Sequence, residues 1–133
     1  MKKLLFLIIL IGEVFAFSNI EALKTNIINL QKQHIPIVDI RLPDEWESTG
    51  TIPNTIKVTF FNERGEVNQN FLYKLKENSI SKNSKFAIIC RTGHRTEIAA
   101  KILNKYGYKN LINLKGGMYN LFKDLLKEVR YGK

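Results

Sequence analysis

The chain has 133 residues, with 21 Lys+Arg against 12 Asp+Glu and a formal net charge of +9, which leaves room for one domain with one core and excludes a multidomain enzyme. With 44% hydrophobic residues, 25% charged residues and three prolines, it is composed as a folded globular protein and not as a disordered or collagenous one. One cysteine, Cys90, excludes an intrachain disulfide and a thiolate-only zinc site, and two histidines, His34 and His94, argue against a His-rich metal cage.

Residues 1–16 have the pattern of an export signal: Lys2 and Lys3, an apolar run from Leu4 to Ile11, and the small-residue site Val14-Phe15-Ala16. Cleavage after Ala16 is expected, with residues 17–133 as the folded domain and the periplasm as destination in a Gram-negative source. The apolar run falls short of the roughly twenty residues that cross a bilayer, and Glu13 is costly inside one, so no retained membrane span is expected. No cysteine follows the run to carry a lipid anchor. Removing the segment lowers the net charge by one unit, so the basicity belongs to the folded part. The lysines are scattered, without the clusters and aromatic platforms of a nucleic-acid-binding surface. They supply a positive field that draws small anions.

Ser18 with Glu21 forms a capping-box pattern, and Ile20, Leu23, Ile27 and Leu30 follow at helical spacing, which predicts a helix to about Lys32. Ile35 to Ile40, a β-branched run around Pro36, predicts a buried strand. A helical turn fits Asp44-Glu45-Trp46-Glu47. Ile56 to Phe60 predicts a second strand, followed by a loop at Arg64-Gly65 and a short helix near Phe71 to Glu77. Lys85 to Cys90 is a nearly continuous apolar run, the mark of a central parallel strand covered on both faces. Ile98, Ala99, Ile102, Leu103 and Tyr106 mark a helix that Gly107 ends. Asn110 to Leu114 predicts another strand, and Met118 to Val129 a closing helix. The alternation predicts an α/β domain with a mainly parallel central sheet flanked by helices on both faces. In such a sheet the carboxyl ends of the strands share one edge, where ligands bind. The loops starting at Arg41, Phe60, Cys90 and Lys115 are expected to converge there.

Cys90 ends the central strand and is followed by Arg91-Thr92-Gly93-His94-Arg95-Thr96 and a helix. Such a turn aims backbone N–H groups and a positive helix end at one point, with Gly93 supplying the freedom a tight loop needs. A thiol placed there beside cations is favoured as thiolate, so Cys90 is expected to be a nucleophile in an anion-binding cradle made by residues 91–95. The alternative, an inert core cysteine, leaves the two arginines and the glycine around it without a reason.

This stretch resembles the active-site loop of the rhodanese family of sulfurtransferases, Cys-Arg-x-Gly-x-Arg followed by Ser or Thr. Val38-Asp39-Ile40-Arg41 with Glu45-Trp46 and Gly50-Thr51-Ile52-Pro53 resembles the amino-terminal signature of single-domain members, and Tyr108 with Asn110 to Gly117 their closing strand and double glycine. The resemblance covers about Ile20 to Val129. Thr51 stands where the family usually has His, Asn54 and Thr55 replace a Gly-Ala pair, and Leu121 occupies a frequent Trp position. The related phosphatase branch surrounds phosphate with Cys-x5-Arg, whereas Cys90 and Arg95 enclose four residues, a smaller cradle suited to sulfur.

The resemblance implies two-step nucleophilic catalysis without metal or organic cofactor. The Cys90 thiolate takes the outer sulfur of an anionic donor such as thiosulfate, and a thiol or cyanide acceptor, or a protein acceptor, removes it from the resulting persulfide. Backbone N–H groups of residues 91–95 stabilise the persulfide charge. Arg91 is assigned to the donor, and Arg95 in part to an ion pair with Asp39 or Glu45. Arg41 is expected in a salt bridge. His94 has two readings, an acid–base group and a solvent-facing loop tip. Trp46, Phe60 and Phe61 are read as core or cleft walls, and His34 as incidental. The competing function is a non-catalytic rhodanese-like module that carries sulfur or docks a protein partner through the same edge.

Overall fold

A computed structural model describes residues 17–131; the expected export segment lies outside the described residues. In chain order the elements are β1 (Ser18–Glu21), α1 (Lys24–Lys32), β2 (Ile37–Asp39), α2 (Pro43–Thr49), β3 (Ile56–Lys57), α3 (Phe71–Glu77), β4 (Phe86–Ile89), α4 (His94–Lys105), β5 (Leu111–Lys115) and α5 (Gly117–Tyr131). The strands form one parallel sheet in the order β1-β5-β4-β2-β3.

The sequence dictates the centre of this sheet. All four residues of β4 are buried, and their alternation divides the core in two. Phe86, Ile88 and the following Cys90 pack with Phe71 and Leu75 of α3 and Ala99, Ala100 and Leu103 of α4. Ala87 and Ile89 pack with Ile27 and Leu30 of α1 and Met118 and Leu121 of α5. Helices therefore cover both faces, as a parallel sheet requires.

Three local expectations are corrected. Ser18 to Glu21 is not a capped helix start but an edge strand, in register from Ser18↔Ile112 to Glu21↔Lys115, and α1 begins only at Lys24. A cap contributes about 1 kcal/mol, and β5 would otherwise lose a whole ladder of backbone partners. The strand expected over Ile56 to Phe60 keeps ladder geometry only to Lys57, because its partner turns away at Arg41. Val58 and Phe60 still donate their N–H groups to the Asp39 and Ile40 carbonyls at 3.1 Å each. The turn at Asp44 to Glu47 is a full helix, α2, which Pro43 starts and Glu45 holds by accepting the Leu42 N–H at 3.2 Å. His34, to which no chemistry is assigned, takes part in the turn that follows α1. It adopts φ 56° where α1 ends, and the next N–H, of Ile35, closes back on the Leu30 carbonyl at 3.0 Å.

Candidate active site

Cys90 leaves β4 at its carboxyl end and is 0% exposed. Its Sγ accepts the Gly93 N–H at 3.2 Å and lies 3.6 Å from the Thr96 hydroxyl, which also donates to the Gly93 carbonyl at 3.1 Å. The N–H groups of Arg91, Thr92, His94 and Arg95 have no acceptor among the described residues. They are the free donors of a strand-to-helix turn, and the N-terminus of α4 adds its positive end.

Two glycines make the turn possible. Gly93 has φ 94°, and a Cβ there would lie 2.8 Å from the Gly116 nitrogen. Gly117 has φ 60°, and a Cβ there would strike the Cys90 carbonyl and lie 2.7 Å from the Arg91 carbonyl carbon. The start of α5 is thereby pressed onto the loop, and the Met118 and Tyr119 N–H groups donate to the Cys90 and Arg91 carbonyls at 2.9 Å each. The orphan donors of one helix fix the backbone of the other's entry turn.

The loops expected to converge do so through named bonds. Arg95 forms a bidentate pair with Glu45, at 2.6 and 2.8 Å, which ties α4 to α2. The bond from Arg95, with further help from the Leu42 N–H, holds the Glu45 carboxyl below its ordinary value against an opposing effect of burial. In return Glu45 raises the already high value of Arg95. Arg41 pairs with Asp39 at 2.8 and 2.9 Å, both side chains being 1% exposed. Its remaining donors go to the Thr49 hydroxyl and the Gly50 carbonyl at 2.7 Å each. The Phe60 loop joins through the Thr59 hydroxyl, which donates to the Arg41 carbonyl at 2.8 Å.

Of the expected site residues, Cys90, Gly93 and Arg95 are thus brought together with Thr96. Arg91, Thr92 and His94 are exposed on the outer side of the loop, and Arg91 has no side-chain partner among the described residues. Arg91, Arg41, Glu45 and Tyr119 border a cleft of about 390 Å³. On the opposite side, Thr92, Gly93 and His94 border a larger one of about 520 Å³. Phe60 is buried in the core, with Phe61 packed against it edge-on at 4.7 Å, and Trp46 lies under the Lys57 ammonium, 6.0 Å from its ring centre. Leu121 is buried in the core.

Two further residues, outside the expected set, belong to the site. Thr96 is a hydroxyl in the first turn of a helix opened by a cysteine turn, a placement readable from the motif. Asn113 is the polar interruption in Leu111-Ile112-Asn113-Leu114; it is 3% exposed, and such a residue requires a partner.

The family model described as "Rhodanese-like domain" matches residues 20–124. The chain is 31% identical over 86 residues to the putative sulfur carrier protein YrkF of Bacillus subtilis, a match that covers 65% of this chain and 40% of that protein. It is 34% identical over 92 residues to the tRNA uridine(34) hydroxylase of Pelagibacter ubique, covering 69% of this chain and 28% of that protein. The chain therefore spans less than half of these two relatives. The crystal structure of a rhodanese-like domain protein from Staphylococcus aureus superimposes with a TM-score of 0.59 at 25% identity, over 77% of this chain and 89% of that one.

Proposed function

Because this chain belongs to the rhodanese-like domain family, a family of the sulfurtransferase type, we propose that it moves a sulfane sulfur from a small anionic donor such as thiosulfate to a nucleophilic acceptor through a persulfide on Cys90. The observation that carries this reading is the Gly93 N–H on Sγ at 3.2 Å, in a turn whose other N–H groups are unengaged. The Cys90 thiolate attacks the outer sulfur of thiosulfate, the new S–S bond forms as the old one breaks, and sulfite leaves with the electron pair. The terminal sulfur then carries the negative charge, and the unengaged N–H groups of residues 91–95 stabilise it. The acceptor attacks that sulfur and releases Cys90 as thiolate. Since Cys90 has no exposed surface, loading requires a movement that uncovers Sγ.

Arg95, occupied by Glu45, orients the loop and does not clamp the donor, which also counts against a phosphate-binding role. Arg91 is the available cation. Work outside the cytoplasm after removal of residues 1–16 is part of the proposal, supported by the composition of that segment and tested by the mass of the native protein.

Incubation with thiosulfate is expected to add one sulfur atom to the intact protein, and cyanide to remove it as thiocyanate. Cys90→Ser abolishes both. An unchanged mass across several sulfur donors would refute the reading. The burial of Cys90, together with the exposed apolar Tyr119, Phe122, Leu126 and Val129 on α5, favours a second reading, a sulfur-carrier or docking module. It predicts a reactive Cys90, negligible turnover on small donors and saturable binding of a protein partner.

A further inference from the structure

The larger cleft beside the Cys90 loop is not used by the donor chemistry. It is lined by residues of β1, β5 and the first turn of α4, together with the loop residues Thr92 and Gly93. Gly93, whose N–H rests on the sulfur, separates cleft from thiol by a single residue. Its volume, about 520 Å³, is that of a small-molecule site, where ~300–1,000 Å³ is usual.

Asn113 supplies the signal for a ligand. Its amide donates to Asn19 Oδ1 at 2.9 Å, but its own Oδ1 is buried without any hydrogen-bond partner in a residue 3% exposed. A buried amide oxygen left unpaired is costly, so this atom calls for an N–H or O–H donor from whatever occupies the cleft. Glu21 and Glu97 also line the cleft. Glu21 uses one oxygen for the Asn120 amide at 2.9 Å, and Glu97 makes only a long contact of 3.8 Å with Lys101. The donor they favour is a cationic N–H, an ammonium. Lys115, opposite Glu21 in the strand register and without a side-chain partner among the described residues, offers a charge for a carboxylate.

We propose that this cleft is the acceptor subsite and that the acceptor is an amino-acid thiol, its ammonium on Asn113 Oδ1 and Glu21 and its carboxylate on Lys115. The assignment rests on the sulfur-transfer reading above. The bound thiolate attacks the outer sulfur of the Cys90 persulfide, forming a new S–S bond as the protein's S–S bond breaks and Cys90 leaves as thiolate. The donor meets the loop beside Arg91 and the acceptor beside Thr92 and His94, so between the two steps the outer sulfur swings about the Cys90 Cβ–Sγ bond to place the acceptor in line with the S–S bond it breaks.

The test uses the full chain and S-methylcysteine, which keeps both charged groups and cannot react. Titration followed by amide NMR is expected to shift the Asn113 side-chain signal and the Gly93 backbone signal saturably. N-acetyl-S-methylcysteine, with its ammonium capped, is expected to bind at least tenfold more weakly. Asn113→Leu and, if that variant does not fold, the exposed Glu21→Gln are expected to weaken S-methylcysteine binding several-fold and to lower the ratio of cysteine to cyanide turnover. Equal binding of capped and uncapped probes, or shifts confined to the Arg91 side, would overturn the inference even in a protein that takes up sulfur. Binding at Asn113 by a protein that gains no sulfur from any donor would instead overturn the function, and with it the naming of the ligand as an acceptor.

Discussion

Two arginines leave the Cys90 turn four positions apart, and they are in opposite situations. Arg95 is about three-quarters enclosed and spends its guanidinium on both oxygens of Glu45, whereas Arg91 is exposed and has no partner among the described residues. Behind Arg95 lies a built flank, with the buried Asp39–Arg41 pair and the α5 entry fastened to the Cys90 and Arg91 carbonyls. Arg91 shares a cleft with Arg41 and Glu45, but only those two have their charges paired, with Asp39 and Arg95. The difference teaches that the same residue type in one motif serves two ends: one cation sets the shape of the turn, and the other remains available to an anion. The comparison holds only if damage to the built flank appears as lost stability and damage to the open flank as lost chemistry.

The largest effect is expected at Asp39. Asp39→Ala leaves the Arg41 guanidinium buried without its counter-charge, a loss of about 3–5 kcal/mol, read as a fall in the urea midpoint with an unchanged slope. Adding Arg41→Met removes the stranded charge and is expected to restore part of that loss. If the double variant is no more stable than the single one, charge burial is not the cause. Next comes Gly117→Ala. A residue other than glycine at φ 60° costs about 1–3 kcal/mol in strain, and its methyl group also meets the Cys90 carbonyl. Lower stability and slower persulfide loading are expected together, since the carbonyl it displaces belongs to the reacting residue. Normal loading in a destabilised Gly117→Ala protein would separate the α5 contact from the site.

These residues also mark what the sequence discloses. β4 and the turn after it are legible because burial on both faces leaves an unbroken apolar run, and Cys90, Gly93 and the following helix lie within a few positions of one another. β1 is not, because Ile20, Leu23, Ile27 and Leu30 suit one long helix as well as a strand, a break and a shorter helix. The choice is made by β5, some ninety residues away. The arginine partners have the same character. Asp39 and Glu45 are both acidic neighbours in the motif, and only the fold decides that Arg41 takes the first and Arg95, fifty residues from its carboxylate, the second. Asn113 left a trace as a polar residue in an apolar strand, but the cleft beside it requires β1 to be placed first.

A smaller effect is expected at Glu45. Its side chain and that of Arg95 are about a quarter exposed, so Glu45→Gln is expected to cost about 1 kcal/mol at neutral pH. The pH dependence is the sharper readout. The Glu45 carboxyl titrates below its ordinary 4.5 in the folded protein, chiefly through its bond from Arg95. Its contribution is therefore fully present above about pH 4.5 and is lost as the pH falls through the lower folded value. Urea midpoints measured from neutral pH down into the acid range are expected to drop less steeply for Glu45→Gln than for the unaltered chain. Parallel curves would show that the pair adds nothing to acid stability.

The smallest effect on stability, and the one on which the comparison turns, is expected at Arg91. An exposed side chain without a partner contributes within about 0.5 kcal/mol to folding, so Arg91→Ala is expected to unfold at the same urea concentration as the unaltered chain. Its chemistry should differ. Loss of one cation facing a doubly charged donor is expected to lower kcat/KM for thiosulfate about tenfold, or about 1.4 kcal/mol of transition-state stabilisation, mainly through KM. The interaction is with an exposed charge and is screened by salt. The deficit should therefore shrink at high ionic strength, and Arg91→Lys should recover most of it at low ionic strength. Discharge of an already loaded Cys90 by cyanide, a step without thiosulfate, should be affected less than loading. A variant that is equally slow in both steps at every salt concentration would place Arg91 with the built flank and remove the distinction between the two arginines.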